Sequence, residues 1–282
     1  MLHIKSLTEI SGDYDAILSD IWGVVHNGVA PFQQSVSALA EARASGKPVV
    51  LITNAPRPRA AIVAQLASLG VDRNCWDRIV TSGDVTRDLI KSGPRRIFHL
   101  GPERDTEIYD GLDVELVEEF EADCVVCTGF FDDETETPED YADMLRRFRS
   151  RDLPFICANP DIVVERGERL IWCAGALARD YTQLGGRTLI AGKPFQPIYD
   201  LAMRELSEVL GREAKVAETL AIGDGVLTDV KGAANYGFDI LYVSGGIHAR
   251  EYGDAERPDA ERLSAFLTSN GQRPIATIHR LK

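Results

Sequence analysis

The sequence predicts an α/β protein built on a parallel sheet, and two observations carry that expectation. Apolar runs of strand length recur: AILSDIWGVV (16–25), PVVLITN (48–54), RIFHL (96–100), CVVCTGF (124–130), PFICAN (154–159), ETLAIGD (218–224) and ILYVSGG (240–246). Several are followed by apolar residues spaced for one face of a helix and closed by a glycine. Strands alternating with helices of this length imply βαβ units, which pair their strands in parallel.

Taken in order, Val36, Leu39 and Ala40 share one helical face after the first run, with Gly46 as the stop. Ile62, Val63, Leu66 and Leu69 repeat the pattern after the second run and are closed by Gly70. Ile198, Leu201, Ala202, Leu206, Val209 and Leu210 form a third stripe, closed by Gly211. Between these, the acidic stretch Asp132-Asp133-Glu134-Thr135-Glu136 reads as a solvated loop, and Thr137-Pro138-Glu139 as the start of a helix. Cys124 and Cys127 form a C-x-x-C, but Val125 and Val126 between them place the pair on a buried strand with its sulfurs on opposite faces, which suits neither a zinc knuckle nor a redox pair.

Composition narrows the function. With 282 residues, 44% hydrophobic and 27% charged, the chain has room for one large domain or two ordinary ones, each with a real core. Lys and Arg number 31 and Asp and Glu 44, a net charge of −13 that would repel phosphate backbones and anionic lipid. Neither nucleic acid nor a membrane is therefore expected as a partner, and a small anionic substrate would need a local cationic site or a metal. No apolar run approaches the roughly 18 residues of a membrane span, the first ten residues lack a signal pattern, and five cysteines suit reduced thiols, so a cytoplasmic protein is expected.

In open parallel sheets the chemistry lies beyond the carboxyl ends of the strands. Four exits carry polar residues there: Asp20 after AILS, Thr53-Asn54 after VVLI, Lys193 after LIAG and Asp224 after LAIG. Both G-K pairs, Gly46-Lys47 and Gly192-Lys193, lack the rest of a phosphate-binding P-loop, and no G-x-G-x-x-G follows an early strand, which disfavours nucleotide folds of those types. If the four exits converge, Asp20 and Asp224 offer hard oxygen ligands to Mg2+. Thr53 and the backbone N–H groups near Asn54, at the start of the next helix, suit phosphate oxygens, and Lys193 adds a positive charge. A carboxylate held beside a phosphoryl group and a cation can act as a nucleophile and form an aspartyl-phosphate.

The order and spacing of SDIWGVVHNG (19–28), LITNAPRP (51–58), ANPD (158–161), AGKP (191–194) and AIGDGVLTDVKGA (221–233) resemble the haloacid dehalogenase superfamily. The closest likeness is to its subfamily IIA of sugar, nucleotide and pyridoxal phosphate phosphatases. The resemblance implies a Rossmann-like core from residues 1–83 and 189–282, with an inserted α/β cap of the C2 type over 84–188 that closes on the active site. It implies Asp20 as nucleophile, Thr53 and Asn54 as phosphate holders and Lys193 as charge clamp. Asp224 would be a magnesium ligand together with Asp20 and the Trp22 carbonyl, and Asp229 would support the metal. The Asn159-Pro160-Asp161 segment would be a substrate loop of the cap. The implied partner is a small phosphorylated metabolite, and a homodimer paired through the cap is compatible with such a fold.

One departure stands out. Where the family has a second aspartate two residues after the nucleophile, this chain has Trp22, which cannot exchange a proton at neutral pH. Loss of that acid–base group costs about 10²–10⁴ in rate. Three readings follow: a slow magnesium-dependent phosphohydrolase, a phosphoryl-ligand binding or regulatory protein, and a hydrolase of acyl phosphates or phosphonates whose leaving group needs no protonation. Several residues keep two readings. His26 is a packing residue or a replacement proton donor, Trp22 a core filler or a functional substitution, and Asp229 a support for the metal or for its own loop. Arg57 and Arg59 steer an anion or are ordinary surface arginines, and Asn159 and Asp161 shape a turn or touch substrate.

Overall fold

The computed structural model describes residues 2–167, 169–254 and 257–282. They form two compact units, one of residues 2–53, 63–80 and 199–282 and the other of 54–62 and 81–198, residue 1 and the other undescribed positions set aside.

The first unit is built on a seven-stranded sheet in the order Leu2–His3, Ala276–Ile278, Asp239–Val243, Thr219–Gly223, Ala16–Asp20, Val49–Thr53, Arg78–Thr81. The pairings at its centre are parallel: Ile17 to Ser19 face Val49 to Leu51 on one side and Leu220 to Ile222 on the other. The strand Ala16–Asp20 is buried along its whole length, as are Val49–Thr53 and Thr219–Gly223. Burial on both faces is why these segments read as continuous apolar runs with no alternation. Every run singled out from the sequence contains a strand; Arg96–Leu100 fills its run, and the other strands are shorter than theirs because those runs also carry flanking residues. The helices Gln33–Ala44, Arg59–Ser68 and Gln196–Leu210 fall on the three apolar stripes. Gly46, Gly70 and Gly211 all have positive φ, the conformation that ends a helix without a steric penalty.

From Ala16–Asp20 the chain adds strands outward in one direction through Val49–Thr53 and Arg78–Thr81, then in the other through Thr219–Gly223, Asp239–Val243 and Ala276–Ile278. The reversal falls between Ala16–Asp20 and Thr219–Gly223, the kind of switch point at which open α/β sheets leave a crevice beyond their carboxyl ends. Asp20 closes one of those strands and Asp224 follows the other.

The second unit carries a parallel sheet of five strands, in the order Thr188–Ile190, Phe155–Cys157, Cys124–Cys127, Arg96–Leu100, Glu115–Leu116. The strand Thr188–Ile190 straddles the 188/189 boundary drawn from the sequence. One face packs Val125, Cys127, Phe155 and Cys157 against Leu145, Phe148, Leu177 and Tyr181, and the other packs Cys124, Val126 and Ile156 against Ile90 and Ile108. Cys124 and Cys127 thus lie in different cores on opposite faces of one strand. Burial pushes the Cys124 thiol up to about 12 and that of Cys127 well above its ordinary value, so both are inert packing groups. Thr137 starts a short turn, Pro138–Tyr141, that leads into the helix Ala142–Ser150, and its backbone N–H bonds the Asp140 carboxylate at 2.8 Å.

Among the described residues no helix is long and apolar enough to cross a membrane.

Candidate active site

The strand register places three of the predicted residues at one sheet end. Asp20 pairs with Ile52, so Thr53 lies one residue further along the neighbouring strand, and both are buried. On the other side Ile222 pairs with Ser19, and the chain leaves the sheet through Gly223 into Asp224. The carboxylates of Asp20, Asp224 and Asp229 each offer an oxygen within 4.8 Å of the others, and all three residues are buried, at 5%, 4% and 5% exposure.

Local geometry holds each carboxylate in place. The Ile247 N–H donates to Asp224 Oδ2 at 2.7 Å. A Cβ on Gly23 would come within 2.1 Å of that same oxygen and one on Gly246 within 2.0 Å, so the chain passes on two sides of the Asp224 carboxylate at distances only glycine permits. Asp229 lies in the single π-helical turn Val226–Val230, and its Oδ2 accepts the Gly225 N–H at 3.0 Å. A π-turn inserts one residue into a helix and commonly marks a functional position. Asp229 therefore supports its own loop and belongs to the acid cluster.

Three carboxylates this close and this buried repel one another in a medium where Coulomb energies are large. All are hard oxygen donors, and a divalent cation of the magnesium or calcium type fits such a donor set. The residues present are therefore chemically suited to hold such an ion.

The segment after Asp20 is tightly self-bonded. Val25 N–H donates to the Ile21 carbonyl at 2.7 Å and Gly23 N–H to the His26 carbonyl at 2.8 Å. The rings of Trp22 and His26 meet edge to face, 5.0 Å between centroids, and a Cβ on Gly28 would overlap the Trp22 indole. His26 Nδ1 accepts the Gly28 N–H at 2.9 Å, which leaves the imidazole proton on Nε2. Burial pushes that imidazole down to about 4, so it is neutral at physiological pH. The geometry supports the packing reading of His26.

In the second unit the other predicted residues meet. Asn54 and Lys193 are buried, and the Asn54 amide makes three hydrogen bonds to two neighbours: Oδ1 accepts the Lys193 N–H at 2.7 Å, while Nδ2 donates to Asp161 Oδ1 at 2.8 Å and to the Lys193 carbonyl at 3.3 Å. Asn159 Oδ1 accepts the Asp161 N–H at 3.1 Å. The turn reading of Asn159 is thereby realised.

One expectation needs correction. The helix that contains Ile62 begins at Arg59, five residues after Asn54, so Asn54 does not cap it. Pro56 and Pro58 are the reason, since a residue before proline is pushed out of the helical region. The Arg59 N–H at the head of that helix donates to Asp84 Oδ1 at 3.3 Å, and the Arg59 side chain pairs with the same carboxylate at 3.2 Å. Arg57 pairs with Asp105 and Glu107, at 3.8 and 3.4 Å. Both arginines answer carboxylates of their own unit, which accounts for them without a steering role.

The sequence reading missed Gly23, Gly192 and Gly246. Only Gly192, next to Lys193, carried a local signal; the need for Gly23 and Gly246 arises from their approach to Asp224, remote from both in sequence.

Residues 17–115 match the haloacid dehalogenase-like hydrolase family and residues 190–265 a second family described as HAD-hydrolase-like. A crystal structure of a haloacid dehalogenase-like hydrolase from Brucella suis 1330 is 59% identical, covers 99% of this chain and 100% of its own, and superposes with a TM-score of 0.90. The chain belongs to the haloacid dehalogenase-like hydrolases. A 5'-nucleotidase of Bacillus subtilis strain 168, YutF, is 27% identical to this hydrolase over 251 residues, 87% of this chain and 93% of its own. A protein described as a possible sugar phosphatase from Cytophaga hutchinsonii shares the fold, at 20% identity over 99% of this chain and 98% of its own, with a TM-score of 0.80.

Proposed function

We propose that this hydrolase is a magnesium-dependent phosphohydrolase acting on a small phosphorylated metabolite through an aspartyl-phosphate on Asp20. The observation that carries the reading is the cluster of Asp20, Asp224 and Asp229, three buried carboxylates gathered at the switch point of a parallel sheet. Asp20, Asp224 and the Trp22 carbonyl would hold Mg2+, with Asp229 supporting them. When bound, the ion supplies positive charge that offsets both the carboxylates and the phosphoryl oxygens.

The chain's own residues then divide the work. Asp20 attacks phosphorus with one carboxylate oxygen, the P–O bond to the leaving group breaks, and the phosphoryl group rests on Asp20 until water removes it. Thr53, the backbone N–H groups near Asn54 and Lys193 hold phosphate oxygens, and residues 84–188 act as the cap that reads the rest of the substrate. The names of the relatives, a 5'-nucleotidase and a possible sugar phosphatase, support a phosphate monoester as the substrate class.

Trp22 shapes the outcome. Its indole, packed on His26, offers no proton to the departing oxygen, and His26 is neutral and spends its Nδ1 lone pair on Gly28. The leaving group must then depart as an anion. Phenol-like groups with a pKa near 10 do so far more readily than alkoxides. Aryl and acyl phosphates are the substrates this site favours, and slow turnover of alkyl phosphates follows. The alternative, a phosphoryl-ligand binder without turnover, draws on the same tryptophan.

The test is a panel of aryl, acyl and alkyl phosphates with and without magnesium, alongside calorimetry with magnesium. Aryl phosphate hydrolysis that needs magnesium, with metal binding lost in Asp224→Ala, is the expected result. Equal magnesium binding in both proteins would remove the metal site, and binding of phosphate without turnover of any ester would favour the binding-protein reading.

A further inference from the structure

We infer that Asp161 is a positioning residue that sets the orientation of the Asn54 amide and, through it, the backbone that carries Lys193. The inference rests on the phosphohydrolase reading and assigns Asp161 a different task from phosphate contact.

The sign of its charge is the first reason. A carboxylate brought against a phosphoryl dianion in a buried site is repelled strongly, so Asp161 is the wrong group to hold a phosphate oxygen. The right chemistry for Asp161 is to accept a hydrogen bond, and the structure supplies the donor, Asn54 Nδ2 at 2.8 Å.

The second reason is what that bond does to Asn54. An asparagine side chain has nearly the same shape when its oxygen and nitrogen are exchanged, so packing alone holds either orientation. In the orientation observed, Oδ1 accepts the Lys193 N–H at 2.7 Å and Nδ2 faces Asp161 and the Lys193 carbonyl. A flipped amide would set Oδ1 against the Asp161 carboxylate and Nδ2 against the Lys193 N–H. Each would be a clash of like partners, which a buried polar group does not tolerate. Asp161 therefore selects the flip state that grips both backbone polar groups of Lys193.

The third reason is rigidity. Gly192 precedes Lys193 with φ of +93°, and a Cβ there would lie 2.6 Å from Asn54 Oδ1 and 2.9 Å from Pro160 Cδ. The strand exit, the Asn54 amide and the Asn159-Pro160-Asp161 turn therefore approach one another at a point where only glycine fits. Asp161 is itself pinned, since its N–H donates to Asn159 Oδ1 and its carbonyl accepts the Gly175 N–H at 3.1 Å, one residue into the helix Ala174–Gln183. Gly175 tolerates this only because it lacks a Cβ, which would fall 2.5 Å from the Asp161 carbonyl oxygen. The helix thus fixes the turn, the turn fixes Asp161, Asp161 orients Asn54, and Asn54 holds the peptide from which the Lys193 ammonium extends.

Exchange of the acceptor decides the matter. With magnesium and an aryl phosphate, kcat, KM and the calorimetric Kd of inorganic phosphate are measured for the wild type, Asp161→Asn, Asp161→Ala, Asn54→Asp and the double exchange Asn54→Asp/Asp161→Asn. An amide oxygen accepts the Asn54 N–H as a carboxylate does, so Asp161→Asn should stay within about threefold of wild type, while Asp161→Ala should lose about 10² in kcat through misplacement of the lysine. Asn54→Asp sets two carboxylates together and should lose at least as much. The double exchange restores a donor facing an acceptor and should recover about tenfold or more over Asn54→Asp alone. If Asp161→Asn falls as far as Asp161→Ala, the charge is what matters and positioning is overturned; an absence of recovery in the double exchange overturns it too. Should Asp161→Ala fail to fold, the other variants decide. A wild type that neither turns over any ester nor binds inorganic phosphate would instead remove the phosphohydrolase reading, and this inference with it.

Discussion

Buried carboxylates are handled in two ways in this molecule. In the second unit the half-buried Asp133 lies between Arg104 and Arg166, the latter at 2.9 Å, and the buried Asp105 lies 3.8 Å from Arg57 Nε, so both acids are set beside arginine. In the first unit Asp20, Asp224 and Asp229 are set beside one another, within 4.8 Å, on turns that glycines bring close. Opposite charges brought together are an ordinary structural solution for burial. Like charges brought together hold the fold at a disadvantage and suit a cation that arrives from outside. On the reading proposed above, the difference between the two regions separates a carboxylate that serves the fold from one that serves chemistry.

Substitution should expose that difference most sharply at Asp20. Asp20→Asn removes the nucleophile, and turnover of an aryl phosphate should fall by at least about 10³. The same change relieves repulsion, so the melting temperature of the metal-free protein should hold or rise. A large loss of stability would place Asp20 with the structural acids. At Trp22 the effect runs the other way. Trp22→Asp should raise turnover of alkyl phosphates by about 10²–10⁴, the worth of a general acid–base, while emptying the space the indole fills beside His26 and Gly28 and lowering the melting temperature. No gain on any ester would end the assignment of Trp22 as the missing acid's replacement.

A smaller effect is expected at Gly23, which has φ of +87° and no space for a Cβ. Gly23→Ala must push the Asp224 carboxylate aside and should weaken magnesium binding by about 10–100-fold, read by calorimetry, with Asp224 itself untouched. Unchanged affinity would show that the glycine merely turns the chain.

The smallest effect belongs to the second unit and should appear in stability alone. Burial raises the Asp105 carboxyl to about 6, against the opposing pull of Arg104, the Thr128 hydroxyl and Arg57, with Asp133 adding to the rise. Because the folded state keeps this proton at a pH where the unfolded chain has released it, the neutral carboxyl stabilises the protein in acid. That contribution fades as pH rises from about 4 through 6. Relative to Asp105→Asn, the wild type should lose on the order of 2–3 kcal/mol of unfolding free energy between pH 4 and pH 7. Denaturant titrations across that range check it, and a flat difference would show that the arginines neutralise Asp105 fully.

These contrasts also show what could be read from the residues alone. Buried parallel strands announce themselves as unbroken apolar runs, so Ala16–Asp20, Val49–Thr53 and Thr219–Gly223 were legible, and so were the polar residues at their ends. Leu2–His3 and Ala276–Ile278 were not, because two or three residues carry no periodicity and their pairing joins opposite ends of the chain. The delayed start of Arg59–Ser68 was written in Pro56 and Pro58. The glycines beside Asp224 were beyond local pattern, since their need arises only when a distant turn passes the carboxylate. The link from Asn54 to Asp161 spans 107 residues and depends wholly on tertiary placement.

The central claim is that Asp20 carries the phosphoryl group. Rapid-quench mixing of the magnesium-loaded wild type with a phosphorus-labelled aryl phosphate tests it directly. Label should appear on the protein within the first turnover, map to Asp20, and accumulate, because Trp22 cannot activate the water that removes it. Turnover of the aryl phosphate with no label on the protein at any time, or with undiminished label in Asp20→Asn, would contradict the account.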